Sequence, residues 1–124
     1  MKGVKVQTNG TISMIDVRQN GKPLYDLMHE VVGGFYENVN PIRLRKGYVM
    51  VVNEEGFLLG LDRNPIGSYL YGTDKHGSPI VGDALILKYG FYEDEPDVVG
   101  MTDEEAVDIM NDLANLYAEM KGEK

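Results

Sequence analysis

The strongest strand pattern in the chain is Tyr48-Val49-Met50-Val51-Val52, followed by Asn53-Glu54-Glu55-Gly56. Its apolar run, rich in valine, favours a β-strand. Because such a strand has apolar residues on both faces, we expect it in the centre of a sheet that is covered on both sides. The polar residues after it predict a turn, in which Gly56 supplies a positive φ.

A hairpin, a short helix and a further strand are predicted before this central strand. The predicted strands of this part are residues 4–7, 11–17 and 35–39. Between the first two strands, Asn9-Gly10 favours a type I′ turn, in which both central residues need positive φ. Pro23 suits the first turn of a helix, and apolar residues recur after it at helical spacing. Gly33-Gly34 ends that helix with a left-handed cap.

The chain after the central strand alternates between apolar and loop-forming segments. Residues 57–61 form an extended or helical segment, which Asp62-Arg63-Asn64-Pro65 ends because a residue before proline avoids the helical region. Residues 66–82 are rich in Gly, Ser and Tyr and predict a long loop. Residues 83–89 predict a last buried strand, and the acidic run 93–97 a solvated loop.

The C-terminal helix is the clearest element. Thr102 and Glu105 have the spacing of a capping box, in which each side chain bonds the backbone of the other residue. The apolar stripe of this helix consists of Ala106, Ile109, Met110, Leu113, Leu116, Tyr117 and Met120. The pattern predicts an α+β fold: a small mixed, mainly antiparallel sheet, a short helix after the first hairpin and a long amphipathic C-terminal helix.

Length and composition favour one domain that spans residues 1–124. The chain has no cysteine, which excludes disulfides, thiol nucleophiles and cysteine-based zinc sites, and favours a reducing, cytoplasmic setting. The apolar runs are far shorter than the roughly 20 residues that span a bilayer. The N-terminus lacks the apolar stretch of a signal peptide. We therefore expect no contact with a membrane.

The net charge of −8 is unevenly distributed. Residues 93–124 carry 11 acidic and 2 basic residues, a net charge of −9, whereas residues 1–92 carry 9 acidic and 10 basic residues, a net charge of +1. Like charge repels phosphate, so direct binding to nucleic acid is not expected. The acidity of the C-terminal part either keeps the protein in solution or imitates a nucleic-acid backbone.

Few residues favour catalysis. His29 and His76 are far apart in sequence and have no cysteine to complete a zinc site. No serine lies in a Gly-x-Ser-x-Gly elbow, and no glycine-rich phosphate loop is present. Glu54 and Glu55 follow the central strand and would be the acids of a hydrolase or the ligands of a divalent ion. Because adjacent turn residues usually point apart, a non-enzymatic protein without cofactor or metal is expected.

One polar set has the chemistry of a ligand site. Arg43 and Arg45, beside Lys46, form the main basic cluster, and guanidinium groups bind phosphate in a bidentate manner. Asparagine side chains hydrogen-bond amides or base edges, and tyrosine rings stack on bases. The candidate ligand-binding residues are Arg43, Arg45, Asn53, Asn64, Tyr36 and Tyr69, with Tyr71 as a further stacking face. The alternative is a surface cluster with turn-forming asparagines.

Several runs resemble the family described as domain of unknown function 3846, found in bacteria and their phages. They are residues 24–37, which end in Val-Val-Gly-Gly-Phe-Tyr-Glu, residues 48–56, which end in Val-Val-Asn-Glu-Glu-Gly, and Gly60-Leu61-Asp62-Arg63-Asn64. Residues 80–86 and 101–105 are similar to its closing strand and helix start. Phe35-Tyr36 departs from the aromatic-then-aliphatic order of the family. The resemblance implies a small accessory protein of phages or mobile elements, and such proteins frequently counter host defences.

Two binding hypotheses follow for the host cytoplasm. In the first, the protein holds a small nucleotide-like immune signal or occupies a host defence protein. In the second, its acidic C-terminal face, including Asp108 and Asp112, imitates nucleic acid and inhibits a protein, as anti-CRISPR or anti-restriction proteins do. A homo-oligomer that forms through exposed Tyr and Met side chains of the last helix is left open.

Overall fold

The computed structural model describes residues 1–122 of the chain. The strands are β1 (Lys2–Val6), β2 (Ile12–Asp16), β3 (Tyr36–Val39), β4 (Tyr48–Asn53), β5 (Ala84–Tyr92) and β6 (Glu95–Val99). The helices are α1 (Lys22–Val32), α2 (Pro65–Tyr71), α3 (Thr73–His76) and α4 (Asp103–Gly122). The predicted α+β fold, with a short helix after the first hairpin and a long C-terminal helix, is confirmed.

The strands form one sheet with the order β2-β1-β5-β4-β3, and β6 pairs with β5. All pairings between these strands are antiparallel. β5 is the longest strand. Its first half pairs with β1, and its second half pairs with β6. The sheet has β2 and β3 at its two ends, so each of these strands has one open edge.

The central strands are buried on both faces, as the valine-rich run predicts. Val49 and Val51 of β4 pack in the cluster that contains α1. Met50 and Val52 point the other way, into the cluster that contains α2 and α4. β5 alternates in the same manner. The fold is therefore a sheet between two helical layers, α1 on one face and α2 with α4 on the other.

The helix α4 begins as its sequence predicts. The Thr102 backbone N–H donates to Glu105 Oε1 over 2.9 Å, and the Glu105 N–H donates to Thr102 Oγ1 over 3.1 Å. This reciprocal pair is a capping box. No helix within residues 1–122 combines the length and the apolar character needed to cross a membrane.

The long loop predicted for residues 66–82 is wrong, because α2 and α3 occupy most of it. Pro65 opens α2, and Asn64 caps it by accepting a hydrogen bond from Gly67 N over 2.9 Å. Gly72 and Gly77 end α2 and α3 in the left-handed conformation. The glycines that resembled loop composition therefore terminate two short helices.

The solvated loop predicted for residues 93–97 is also partly wrong. Glu93 and Asp94 make a tight turn with φ of 51° and 64°. The chain then continues as β6, which pairs with the second half of β5. Acidic side chains are accepted there because the first residues of β6 project into solvent while the backbone completes the ladder.

Asn64 is a buried polar residue below α2. Its side chain is fully buried, and its Nδ2 donates to Val6 O over 2.9 Å and to Gly82 O over 3.0 Å. It thus joins the N-terminal hairpin to the segment that precedes β5. Because Asn64 also caps α2, one amide stabilises three parts of the chain.

We expect the Asn64→Ala substitution to lower the free energy of unfolding by about 2–4 kcal/mol, since it removes a helix cap and leaves buried carbonyl groups unpaired. Urea denaturation followed by circular dichroism measures the change. Asn111→Ala, on the exposed side of α4, is the matched control, with an expected change of less than about 0.5 kcal/mol. Equal midpoints for both variants would contradict the assigned role of Asn64.

Candidate functional site

The structure does not bring the predicted ligand residues into one pocket. Asn53 and Asn64 are buried, and their amides bond the backbone of the protein itself. Asn53 Nδ2 donates to Val32 O over 2.9 Å, and its Oδ1 accepts from Glu55 N over 2.7 Å. Both asparagines thus hold loops and helices together, so the expectation that they anchor a ligand has no support in their geometry.

Arg43 and Tyr69 do lie together. The Arg43 guanidinium stands 4.1 Å from the centre of the Tyr69 ring and donates to Tyr69 O over 2.7 Å. It also forms a bidentate pair with Asp74, with both distances at 2.7 Å. This hydrogen-bonded guanidinium lowers the pKa of Asp74. The contact ties α3 to the segment before β4.

Arg45 lies elsewhere, against the middle of α4. It donates to the two carboxylate oxygens of Asp112 over 2.7 and 2.9 Å, and Asp108 lies 3.8 Å away. Lys88 in turn pairs with Glu105 over 2.7 Å. Three carboxylates of the acidic helix are therefore partly neutralised, which weakens the likeness of this face to a nucleic-acid backbone.

The remaining predicted residues also have structural partners. The Tyr36 ring packs edge-on against His29 at 4.8 Å, and His29 Nδ1 lies 2.9 Å from Gly34 O. His76 Nε2 lies 3.0 Å from Tyr71 O. Within residues 1–122, no group of three or more histidine, aspartate or glutamate side chains converges as metal ligands would.

The most unusual surface feature follows β4. Phe57, Leu58 and Leu59, which we call the apolar tip, are 68%, 84% and 55% exposed. Phe35, at the start of β3, is 65% exposed, and its carbonyl accepts a hydrogen bond from Glu54 N over 2.9 Å. Single exposed apolar residues are ordinary, whereas three consecutive ones form an apolar patch of the kind that proteins use for interaction.

The loop that carries the apolar tip is held firmly at its base. Leu59 N donates to Glu55 O and Leu61 N to Gly56 O, both over 3.0 Å. Gly56 lies so close to Val81 that an added Cβ would stand 2.2 Å from Val81 Cγ2. The prediction of a positive φ at Gly56 is wrong, since Gly60 has that conformation and Gly56 serves close packing.

Carboxylates lie on one side of the apolar tip. Glu37 and Glu54 line one small cavity with Phe57, which places β3 and the tip side by side. Glu54, Glu37 and Asp62 are exposed and Glu55 is half-buried. The site is therefore an apolar projection with an acidic border. The sequence showed the apolar run 57–61 but carried no signal that its first residues face solvent.

The chain matches the model of a protein family. A family model described as "Domain of unknown function (DUF3846)" matches residues 1–118 of the chain. No curated protein matches. No solved structure matches either.

The Arg43–Asp74 pair makes a prediction for pH dependence. Because the guanidinium favours the carboxylate, the pKa of Asp74 in the folded protein lies below its ordinary value of 3.8. The pair therefore stabilises the fold above that ordinary pKa, and its contribution is lost as the pH falls through the lowered value. Carboxyl-carbon NMR should show a titration midpoint below 3.8 for Asp74.

Arg43→Gln should raise that midpoint toward 3.8, whereas Arg18→Gln, at a distant exposed arginine, should leave it unchanged. A wild-type midpoint at the ordinary value would contradict the pairing.

Proposed function

Because the chain belongs to the DUF3846 family, whose description assigns no activity, we propose from its own surface that it is a non-enzymatic protein that docks onto another protein. The observation that carries this proposal is the apolar tip on its anchored loop. A preformed apolar projection binds without the cost of ordering a flexible segment. A few well-buried side chains near the centre of a contact supply most of its binding energy.

The acidic border favours a partner with basic residues around its binding site. We propose that the partner is a protein with an apolar cleft bordered by arginine or lysine residues. Opposite charges around an apolar centre steer association and exclude wrong partners. Glu37, Glu54 and Asp62 would meet the basic border while Leu58 enters the cleft.

A second copy of the chain and a lipid surface have poorer charge complementarity with the acidic border. A second copy would bring two acidic borders together, and each chain already carries a net charge of −8. An anionic lipid surface would be repelled for the same reason. A foreign protein with a basic border thus has the best charge complementarity.

The wider role remains the one that the family resemblance implies. We propose that the partner is a bacterial defence protein and that the chain acts in the cytoplasm of the host cell as an accessory protein of a phage or mobile element. Of the two binding modes expected from sequence, occupation of a protein is favoured, through the apolar tip and not through the acidic face of α4. Sequestration of a nucleotide-like signal stays a prediction, and the engaged guanidinium groups of Arg43 and Arg45 do not favour it.

A photo-crosslinking amino acid at position 58 tests the proposal in bacterial cells. We expect a discrete crosslinked protein that is absent when the same amino acid replaces Phe91, another highly exposed residue, on β5. After purification of that protein, calorimetry should show that Leu58→Asp weakens binding by at least about tenfold, since an apolar contact is lost.

Phe91→Asp, which introduces the same charge at another exposed apolar position, is the matched control for calorimetry and should bind like the wild type. Equal affinity of the Leu58→Asp variant and the wild type would overturn the proposal. A crosslink between two copies of the chain would instead identify self-association, and would overturn the proposed foreign partner.

A further inference from the structure

The open edge of β2 carries hydrogen-bonding groups that the protein leaves unused. Gln7 N donates to Thr11 O, and Val17 N donates to Met1 O. The backbone N–H and C=O groups of the odd-numbered residues of β2 therefore point toward β1. In an antiparallel ladder the alternate residues then point their N–H and C=O groups away from the neighbour. Those residues are Ile12, Met14 and Asp16, and their backbone groups have no partner within residues 1–122.

This edge also lacks the usual protection. Natural edge strands are guarded by charged side chains, proline or a bulge, because an unpaired edge invites another strand. β2 has the sequence Ile-Ser-Met-Ile-Asp and pairs with β1 in an unbroken register, without a bulge. Its one charged residue, Asp16, is exposed but stands at the end of the strand, where it pairs with Lys2, so residues 12–15 carry no charge. β3, at the opposite end of the sheet, has the exposed charge of Glu37 instead.

A cavity of about 280 Å³ lies beside the same edge. Its walls are β2 and the segment after it on one side and α1 on the other, and they include Val17, Pro23, Leu24 and Leu27. Val17 and Leu24 are buried core residues, so the floor of the cavity is firm and apolar. Because Asp16 is the one residue of β2 that lines it, the cavity lies at the end of the strand, within reach of a side chain near one end of a strand added to β2.

Carboxylates predominate at the mouth of this cavity. Asp16, Asp26 and Glu30 line it, against a single guanidinium, that of Arg18. Asp26 is paired with Lys22 over 3.0 Å on the helix surface, and such exposed pairs are weak. Glu30 is exposed and has no ion pair within residues 1–122. A long basic side chain fits, because its stem lies on apolar walls while its charged end reaches Glu30.

We propose that β2 accepts an extended segment of a partner protein as an additional strand, and that a lysine or arginine of this segment enters the cavity beside α1. Backbone hydrogen bonds to Ile12, Met14 and Asp16 supply affinity, and the cavity supplies the preference for a basic residue. The surface is distinct from the apolar tip, which follows β4. The two contacts therefore succeed or fail independently.

Selection from a random peptide library displayed on phage tests this inference. The wild-type protein should enrich extended peptides with a lysine or arginine among β-branched residues. NMR of the labelled protein with an enriched synthetic peptide should then protect the Ile12, Met14 and Asp16 amides from hydrogen exchange. No enrichment, or protection of other strands only, would overturn the inference.

Met14→Pro is the decisive variant, because it removes an N–H that points outward and spares the bonds to β1. We expect it to weaken peptide binding by at least about tenfold, whereas Met14→Val, which keeps the N–H, should bind like the wild type. Equal binding by the proline variant would overturn the role of the edge.

The cavity has a separate test that does not depend on folding of the proline variant. Glu30→Gln should weaken an enriched peptide by about threefold or more, and the same change at exposed Glu104 should have no effect. Replacing the basic residue of the peptide by glutamine should remove the difference between wild type and Glu30→Gln. Sedimentation that showed self-association lost in Met14→Pro would identify a second copy as the occupant and would overturn the proposed partner.

Discussion

β4 and the first half of β5 are buried on both faces, and this burial dictates how the other elements are arranged. An antiparallel sheet can leave one face in water, but Val49 and Met50 point to opposite sides and both are fully buried. Each face therefore needs its own helical cover. α1 supplies one layer, and α4 with α2 supplies the other, so the whole chain is arranged around two adjacent strands.

Much of this fold could be predicted because its signals are local. The run Tyr48–Val52 identified a central strand, and Thr102 with Glu105 the start of α4. Asn9-Gly10 identified a hairpin, but the type I′ turn expected there is wrong, because only Gly10 of the pair has a positive φ. α2 was missed although its signal is local: Asn64 caps it and Pro65 opens it, but Pro65 was interpreted only as the end of the preceding segment. The bonds from Asn64 Nδ2 to Val6 and Gly82 are tertiary contacts that the sequence could not show.

The candidate site could not be predicted for a related reason. Arginine, asparagine and tyrosine have the chemistry of ligand binding, but the same groups satisfy buried carbonyls and neutralise acids. Only the fold shows that Arg45 lies against Asp112 and that Asn53 faces Val32. Conversely, Phe57 and Leu58 have the composition of a core. The loop that exposes them is packed at Gly56 against Val81, a contact between segments that are distant in sequence.

In the anchored loop, different residues maintain the fold and form the exposed surface. Its base, through Asn53 and Gly56, is bound into the scaffold, whereas Phe57, Leu58 and Leu59 contribute little to the core. Side chains at those three positions are thus free to vary without loss of folded protein. Substitutions there would change the surface that the loop presents at almost no cost to the stability of the protein.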